Sequence, residues 1–396
     1  MKDTPTVLHV TTVHPPYNPR IYHKEVKALA SAGWHVILAT TTSQSTEADG
    51  VRLLPLGAPG RSRLGRIPRN LRALKFMLGR NDIIHIHDPE LLVIASIARL
   101  FGRRIVYDVH EFYHSRFEQD TWMPRFLRPA VGSLYALTER LVLPRLSGIV
   151  VVSEAMIPYY SAFLGEDRIA TIRNLPTITA EDVARHRRAP RPLAEPYILH
   201  VGEASTNRMF HVTVRAAELL REMGNVTPIV NVGGIDLSGY PPNERAELLQ
   251  RAKDADVRLI RKVPYEEAMP WIAHAHVGYM PLAKHPRNIN ALPVKLFEYF
   301  AFGLPVVAPA FGAIEKNINE RSAGLLVPYD DPVALAKAFH DVTTDAALHK
   351  RLSAASQAAG AEFAFEKELP KLEALYRHIL SGTRGGSGRR GGATAN

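Results

Sequence analysis

Between residues 288 and 309 the chain reads NINALPVKLFEYFAFGLPVVAP, and Lys295 and Glu298 carry opposite charges three positions apart. The segment predicts a polar loop broken at Pro293, a helix from about Val294 to Phe302, a stop at Gly303 and an apolar strand from Pro305 to Ala308. Residues three apart share a helix face. Pro293 suits the first helical position, so the amides just after it have no partner inside the helix and can point at an anion. A cation beside those amides suits a diphosphate, and a carboxylate one turn further in can accept hydrogen bonds from two vicinal ribose hydroxyls. The same spacing also describes an ordinary ion pair on a helix face, worth about 0.2–0.5 kcal/mol. The segment alone leaves both readings open.

Other chemistry-bearing residues fall where strands end. IHIHDPE, residues 84–90, puts His85 and His87 on one strand face, followed by Asp88 and Glu90. His-x-His is a metal-pair spacing, but no third ligand accompanies it, and we assign no metal site. RIVYDVHEFY, 104–113, ends its strand at His110 and Glu111; a lone histidine there reads as structural or as a proton carrier. YILHVGEASTNRMFH, 197–211, is a strand, then Gly202, then Arg208, whose planar guanidinium can make two parallel bonds to phosphate oxygens. HPPYNPR, 14–20, precedes a helix with Tyr22, Val26, Leu29 and Ala30 at helical spacing, and Arg20 at its start either serves a ligand or faces water.

Together these segments resemble the retaining family 4 glycosyltransferases. Glu298 matches the second of that family's two glutamates, and GLPVV at 303–307 matches the end of its motif. Asn290 stands where the first glutamate is expected, able to hydrogen bond but uncharged. The resemblance implies donor contacts from Asn290, Ala291, Leu292, Pro293, Val294, Glu298 and Gly202. It implies a catalytic part for His110 and Arg208, and an acceptor side at Arg20, His87 and Glu111. Glu203 replaces the family's arginine after the glycine, and Lys295 is our own assignment for the missing second cation. SAGLLVPYDDPVALAKAF, 322–339, matches the family's Gly-Leu-Leu-Val strand and Asp-Pro helix start. No Gly-x-Gly-x-x-Gly dinucleotide fingerprint occurs, which argues against a dehydrogenase.

Composition points the same way. The chain has 396 residues, 46% of them apolar, enough for two domains with cores, and no cysteine, which removes disulfides, thiol nucleophiles and thiolate metal sites. No signal peptide or spanning apolar run is evident, so a cytoplasmic protein is expected. The formal charge of +10 is concentrated. Arg61, Arg63, Arg66, Arg69, Arg72, Lys75 and Arg80 occur in one stretch without an acid, whose second half, with Leu71, Leu74 and Leu78, reads as a short helix. A solvated face, an anionic membrane surface at the inner face of the cell membrane, and nucleic acid compete there. Nucleic acid fits least, because aromatics for stacking are few.

Short β-branched runs alternate with amphipathic helices, the pattern of parallel strands with helical crossovers. Strands are expected at Val7–Thr12, His35–Ala39, Asp82–Ile86, Arg104–Val109 and Gly148–Val152, then at Tyr197–Val201, Thr227–Val232, Val257–Arg261, Val277–Met280 and Pro305–Ala308. The fold class read here is α/β, of GT-B type: two doubly wound, Rossmann-like domains facing a central cleft. The expected boundaries are 1–185 for an acceptor-side domain, 186–196 for a Pro/Arg-rich linker and 197–364 for a nucleotide-sugar domain. A helix at 365–380 returns to the first domain, and a basic Gly/Ser tail at 381–396 is expected to be disordered. The activity implied is metal-independent, retaining transfer from a nucleoside-diphosphate sugar, of uridine or guanosine type, to a glycan, lipid-linked or small-molecule acceptor. No cofactor is implied. A nucleotide-sugar epimerase of the same fold and a catalytically weak nucleotide-binding scaffold remain as alternatives.

Overall fold

In a computed structural model the chain is described over residues 4–58, 66–110, 126, 128–289 and 292–382. It forms two units, one made by the chain up to Asn174 together with the stretch from Phe365 onward, the other by Leu175–Ala364. The basic tail beyond residue 382 lies outside the described residues.

The first unit is built on β1 (Thr6–Val10), β2 (His35–Thr40), β3 (Thr46–Ala48), β4 (Val51–Pro55), β5 (Ile83–Ile86), β6 (Ile105–Val109), β7 (Gly148–Val151) and β8 (Ile169–Thr171). Their order is β3-β4-β2-β1-β5-β6-β7-β8, parallel except for the β3–β4 hairpin. Strands covered on both faces read as continuous apolar runs, and β5, β6 and β7 are buried at every position. The chain winds outward from β1 in both directions, so right-handed crossovers put the helices on opposite faces. Pro19–Ser31 and the final helix Leu369–Ser381 pack on one face. Ile67–Met77, Leu91–Leu100 and Arg128–Val142 lie side by side on the other.

The helix after β1 begins as a wide π turn, Pro19–Val26, before becoming α-helical at Lys27–Ser31. Asn18 caps it, its Oδ1 accepting from the amides of Arg20 at 2.9 Å and Ile21 at 3.0 Å. A π turn adds a residue per turn and is common where side chains are aimed for a purpose. Here it buries Arg20, Lys24 and Glu25 together.

The second unit carries β9 (Ile198–Val201), β10 (Ile229–Val232), β11 (Val257–Ile260), β12 (Val277–Tyr279), β13 (Val306–Pro309) and β14 (Gly324–Val327) in the order β11-β10-β9-β12-β13-β14, all parallel. This is a second doubly wound sheet. The short strands β3, β4 and β8 escape the sequence reading, since β3 and β8 are partly open to solvent and lack a buried apolar run. The linker also falls elsewhere. Residues 186–188 end a helix of the second unit, Ala180–Arg188, started by a capping box between Thr179 and Asp182, and the chain passes between units at Asn174 and again at Phe365. Arg187 and Arg188 of the expected linker instead stand in the last turn of this helix, where cations complement its dipole.

One glycine couples this sheet to the helix Val294–Ala301. A Cβ on Gly278 would stand 2.7 Å from the Tyr299 ring, and the Tyr299 hydroxyl donates to the Leu199 carbonyl at 3.3 Å while accepting from the Val201 amide at 3.0 Å. Gly278→Ala is therefore expected to overpack this contact and lower unfolding stability by about 1–3 kcal/mol, read as a lower urea midpoint. An unchanged midpoint would mean that the ring has room to move.

Candidate functional site

In the second unit, β9 runs into Gly202, and β10 into Gly233 and Gly234, at the carboxyl edge of the sheet. A Cβ at Gly202 would meet His200 Nε2 at 2.7 Å and the Lys295 side chain at 3.7 Å, so the backbone here lies against both residues. Asn231 fixes the turn, its Nδ2 donating to the carbonyls of Gly202 at 3.0 Å and Gly234 at 3.1 Å. Arg208 follows in the short turn Thr206–Arg208, and Met209 takes a left-handed conformation, φ 47°, before the helix Phe210–Glu222.

Two cations meet a buried imidazole at this place. His200 is pushed down to about 3 by burial, and then by Arg208 and Lys295, so it is neutral. The Lys295 ammonium is itself lowered from 10.5, first by burial, with Glu298 opposing and Arg208 adding to the shift. The helix Val294–Ala301 starts beside them without a side-chain cap. Pro293 is not its first residue, as the sequence suggested, but its extended cap, φ −63° and ψ 130°. The Leu296 amide turns back to the Pro293 carbonyl at 3.0 Å, which satisfies a later donor and leaves the first ones, at Val294 and Lys295, pointing along the axis. Glu298, buried one turn in, accepts from the Tyr265 hydroxyl. Glu203 is exposed to solvent. Leu292 is half-buried at the turn, while Asn290 and Ala291 lie outside the described residues.

In the first unit the polar residues of four neighbouring elements converge on Asp108, which has no exposure. Arg20 grips it with two nitrogens, Nη2 at 2.9 and 3.1 Å and Nε at 3.3 Å, and His110 Nε2 approaches at 2.8 Å. His87 Nδ1 lies 3.1 Å away, and its Nε2 is 3.0 Å from His9 Nδ1. Burial would raise the Asp108 carboxyl, but Arg20, then His110 and His87, hold it well below 3.8. His87 is lowered to about 4, chiefly by burial.

Arg20 and His87 are thus enclosed rather than presented to a ligand. Arg20 also donates to the Ile172 carbonyl at 3.3 Å, and a buried guanidinium is held where its charge is answered. Both act on Asp108. His110 keeps part of its ring exposed, 16% of the side chain, with His14 stacked over it at 5.7 Å. Glu111 lies outside the described residues. Sequence reading missed His9, Glu25, Asp108 and Tyr376; the period of two in YDVH, which sets Asp108 on the same strand face as His110, was the available signal.

Ligand atoms of Glu25, His85, His87 and Asp108 lie within 4.8 Å of one another. Donors around a bound zinc are closer, roughly 3.3 Å apart given bonds near 2.0 Å. Arg20 Nη2 also stands 3.2 Å from Glu25 and 2.9 Å from Asp108, so the two carboxylates of this group already face a guanidinium.

The basic stretch expected to present one charged face is divided. Arg61 and Arg63 lie outside the described residues. Arg66 pairs with Glu90 at 2.5 Å. Arg69 is buried and donates to the Thr12 carbonyl at 2.8 Å, because a loop carbonyl without a strand partner needs a donor. Arg72 donates to the Leu56 carbonyl at 2.9 Å, while Lys75 and Arg80 reach solvent.

Comparison with known proteins follows this division. The family profile "Glycosyl transferase 4-like domain" matches residues 20–174, and "Glycosyl transferases group 1" matches 195–345. The D-inositol 3-phosphate glycosyltransferase 1 of Catenulispora acidiphila is 25% identical over 363 residues, 85% of this chain and 82% of that protein. The D-inositol 3-phosphate glycosyltransferase of Corynebacterium urealyticum is 29% identical over 195 residues, 48% of this chain and only 44% of its own length. Among solved structures, a sucrose-phosphate synthase from Thermosynechococcus elongatus superimposes with a TM-score of 0.70 at 20% identity, covering 96% of this chain and all of that one, a likeness of fold.

The first unit's buried cluster has a pH signature. Glu25 is fully buried, and burial, then Asp108, hold its carboxyl well above 4.5, so the native state keeps a proton that the unfolded chain releases. A raised folded value means that this group's stabilisation is complete below 4.5 and declines as pH climbs toward the folded value. Glu25→Gln fixes the neutral form. The urea midpoint of the variant is expected to match the parent near pH 4.5 and to exceed it at about pH 8. Equal midpoints at both would show that Glu25 is ionised against Arg20.

Proposed function

We propose that this chain, which belongs to the family 4-like, group 1 glycosyltransferases of GT-B fold, moves a sugar from a nucleoside-diphosphate donor to a hydroxyl of a glycan, lipid-linked or small-molecule acceptor, with retention at the anomeric carbon. The observation that carries this reading is the meeting of Arg208, Lys295 and an uncapped helix start at the Gly202 turn. Two cations held near each other beside a neutral imidazole are a poor arrangement for an empty surface and a good one for a diphosphate.

In this reading the bond from the anomeric carbon to the diphosphate oxygen breaks while the acceptor oxygen bonds from the same face, and the acceptor proton passes to the departing phosphate. No protein nucleophile is required. Arg208, Lys295 and the amides of Val294 and Lys295 stabilise charge on the leaving oxygens. Glu298 takes the ribose hydroxyls, with Tyr265 holding its carboxylate in place. Gly202 lets the backbone come close to the phosphates. His110, with Nε2 tied to Asp108, offers Nδ1 to a sugar hydroxyl. A uridine or guanosine diphosphate sugar is the donor class, and glycoconjugate or cell-surface polysaccharide assembly the setting. No helix among the described residues is long and apolar enough to cross a membrane.

The direct experiment incubates the chain with uridine, guanosine and adenosine diphosphate sugars, takes the one that raises the melting temperature, and measures nucleoside-diphosphate release with and without added acceptors. Release of nucleotide in step with a glycosylated product supports the reading. Sugar interconversion without acceptor would replace it with epimerisation.

Two variants test the assigned contacts. Glu298→Gln is expected to weaken nucleoside-diphosphate binding by about 1–3 kcal/mol in calorimetry. An unchanged affinity in a folded variant would remove Glu298 from the ribose. Lys295→Ala and Arg208→Ala are each expected to cut turnover at saturating donor by about a hundredfold, while a chelator leaves the parent active. A Lys295→Ala enzyme with parental turnover would leave Arg208 as the sole assigned cation.

A further inference from the structure

Among the described residues, eight of the eighteen exposed large apolar side chains stand on three helices on one side of the first unit. On the helix Ile67–Met77 they are Ile67 and Leu71, four apart; on Leu91–Leu100 they are Val93, Ile97 and Leu100, at spacings of four and three. On Arg128–Val142 they are Leu134, Leu137 and Leu141. Each set is a stripe along one helix side. The inward stripes of the same helices, with Ala73 and Met77, Leu92 and Ala95, Tyr135 and Val142, already fill the core, so the outer stripes are surplus to folding. Leu100 at 83% and Leu134 at 64% are open to water.

The three helices lie next to each other on one sheet face, so their stripes form a continuous surface. Contiguous exposed apolar surface of this extent marks an interaction site. Its charge is of one sign. Ile67–Met77 and Leu91–Leu100 contain no Asp or Glu, and the single acid of Arg128–Val142, Glu139, is fully buried on Tyr135 and Tyr159. Lys75, Arg99 and Arg140 stand among the stripes. A second copy of this chain would set cationic rims against each other, whereas a bilayer carrying anionic headgroups answers both the apolar stripes and the charge.

We propose that this three-helix face docks the protein on an anionic lipid bilayer, with leucines of the outer stripes entering the boundary of headgroups and acyl chains. The proposal goes beyond the glycosyl-transfer reading and does not depend on it, since the test uses neither nucleotide nor turnover.

The full chain is sedimented with vesicles of phosphatidylcholine alone and with about 30 mol% phosphatidylglycerol, at about 0.1 M and about 1 M NaCl. Recovery is expected with the anionic vesicles, reduced but not abolished by high salt. The exposed double substitution Leu100→Glu with Leu134→Glu is expected to lower the partition coefficient roughly tenfold or more, with an unchanged thermal melt. Three outcomes overturn the proposal. They are equal recovery with neutral and anionic vesicles, parental binding by the double variant, and a parent that sediments alone as a dimer which the double variant abolishes. The last would give the face to a second copy.

Discussion

Asp108 is a carboxylate placed where water cannot reach it, and the first unit is arranged around making that tolerable. Removing an ion from water costs several kcal/mol unless its lone pairs are answered. Arg20 answers with two nitrogens, His110 and His87 with one each, and the Asn18 cap with its π turn brings the guanidinium into the site. The consequence reaches the surface through one group. His110 Nε2 is committed to the carboxylate, so the orientation of this partly exposed ring is set by a buried acid behind it.

The second unit solves the opposite problem. Arg208 and Lys295 lie close enough to act on each other with buried Glu298 beside Lys295, and His200 among them is kept neutral first by burial and then by the two cations. The local backbone is equally committed. Gly202 and Gly233 leave no space for a side chain, since a Cβ on Gly233 would lie 2.4 Å from the Gly202 carbonyl oxygen. Positive charge, free helix amides and bare backbone therefore coincide at one strand end. One unit gathers its cations around a buried carboxylate; the other sets two cations beside bare backbone and a helix start.

What the sequence disclosed follows the range of the interactions involved. The helix at 294, the glycine stop at 303 and the strand at 306 are local, set by proline, glycine and β-branched residues within a few positions, and all are found within a residue or two of the expected bounds. The polar strand ends at His87, His110 and Gly202 were also visible, because alternation within a strand is local. Arg20 was misplaced, since its partner lies 88 positions away and nothing near Arg20 reveals an acid waiting across the sheet. The same holds for Arg69, consumed by a carbonyl 57 positions off. A run of like charges in sequence is a run in space only when no long-range partner claims its members. The apolar stripes escaped notice for a related reason: leucines on the outer and inner sides of a helix look alike until the sheet shows which side is covered.

The final helix ties these observations together. Its Tyr376 hydroxyl lies 2.5 Å from His85 Nδ1 and 3.4 Å from His9 Nε2, closing the histidine row that ends at His87 and Asp108. Just before it, fully buried Glu368 binds Arg173 through Nε and Nη2 at 3.1 and 2.7 Å, at the point where the chain leaves the first unit. The helix also takes Trp34, whose indole donates to Glu373 at 2.8 Å. The first unit is therefore not complete when the chain first leaves it at Asn174; it becomes so only after the entire second unit has been made and the chain has come back. Without the Tyr376 hydroxyl, His85 Nδ1 would lose the partner this helix gives it, and an unsatisfied imidazole nitrogen carries its full desolvation cost. The last segment thereby conditions the geometry of Asp108 and, through it, the orientation of His110, from a helix that supplies no residue to the assigned contacts.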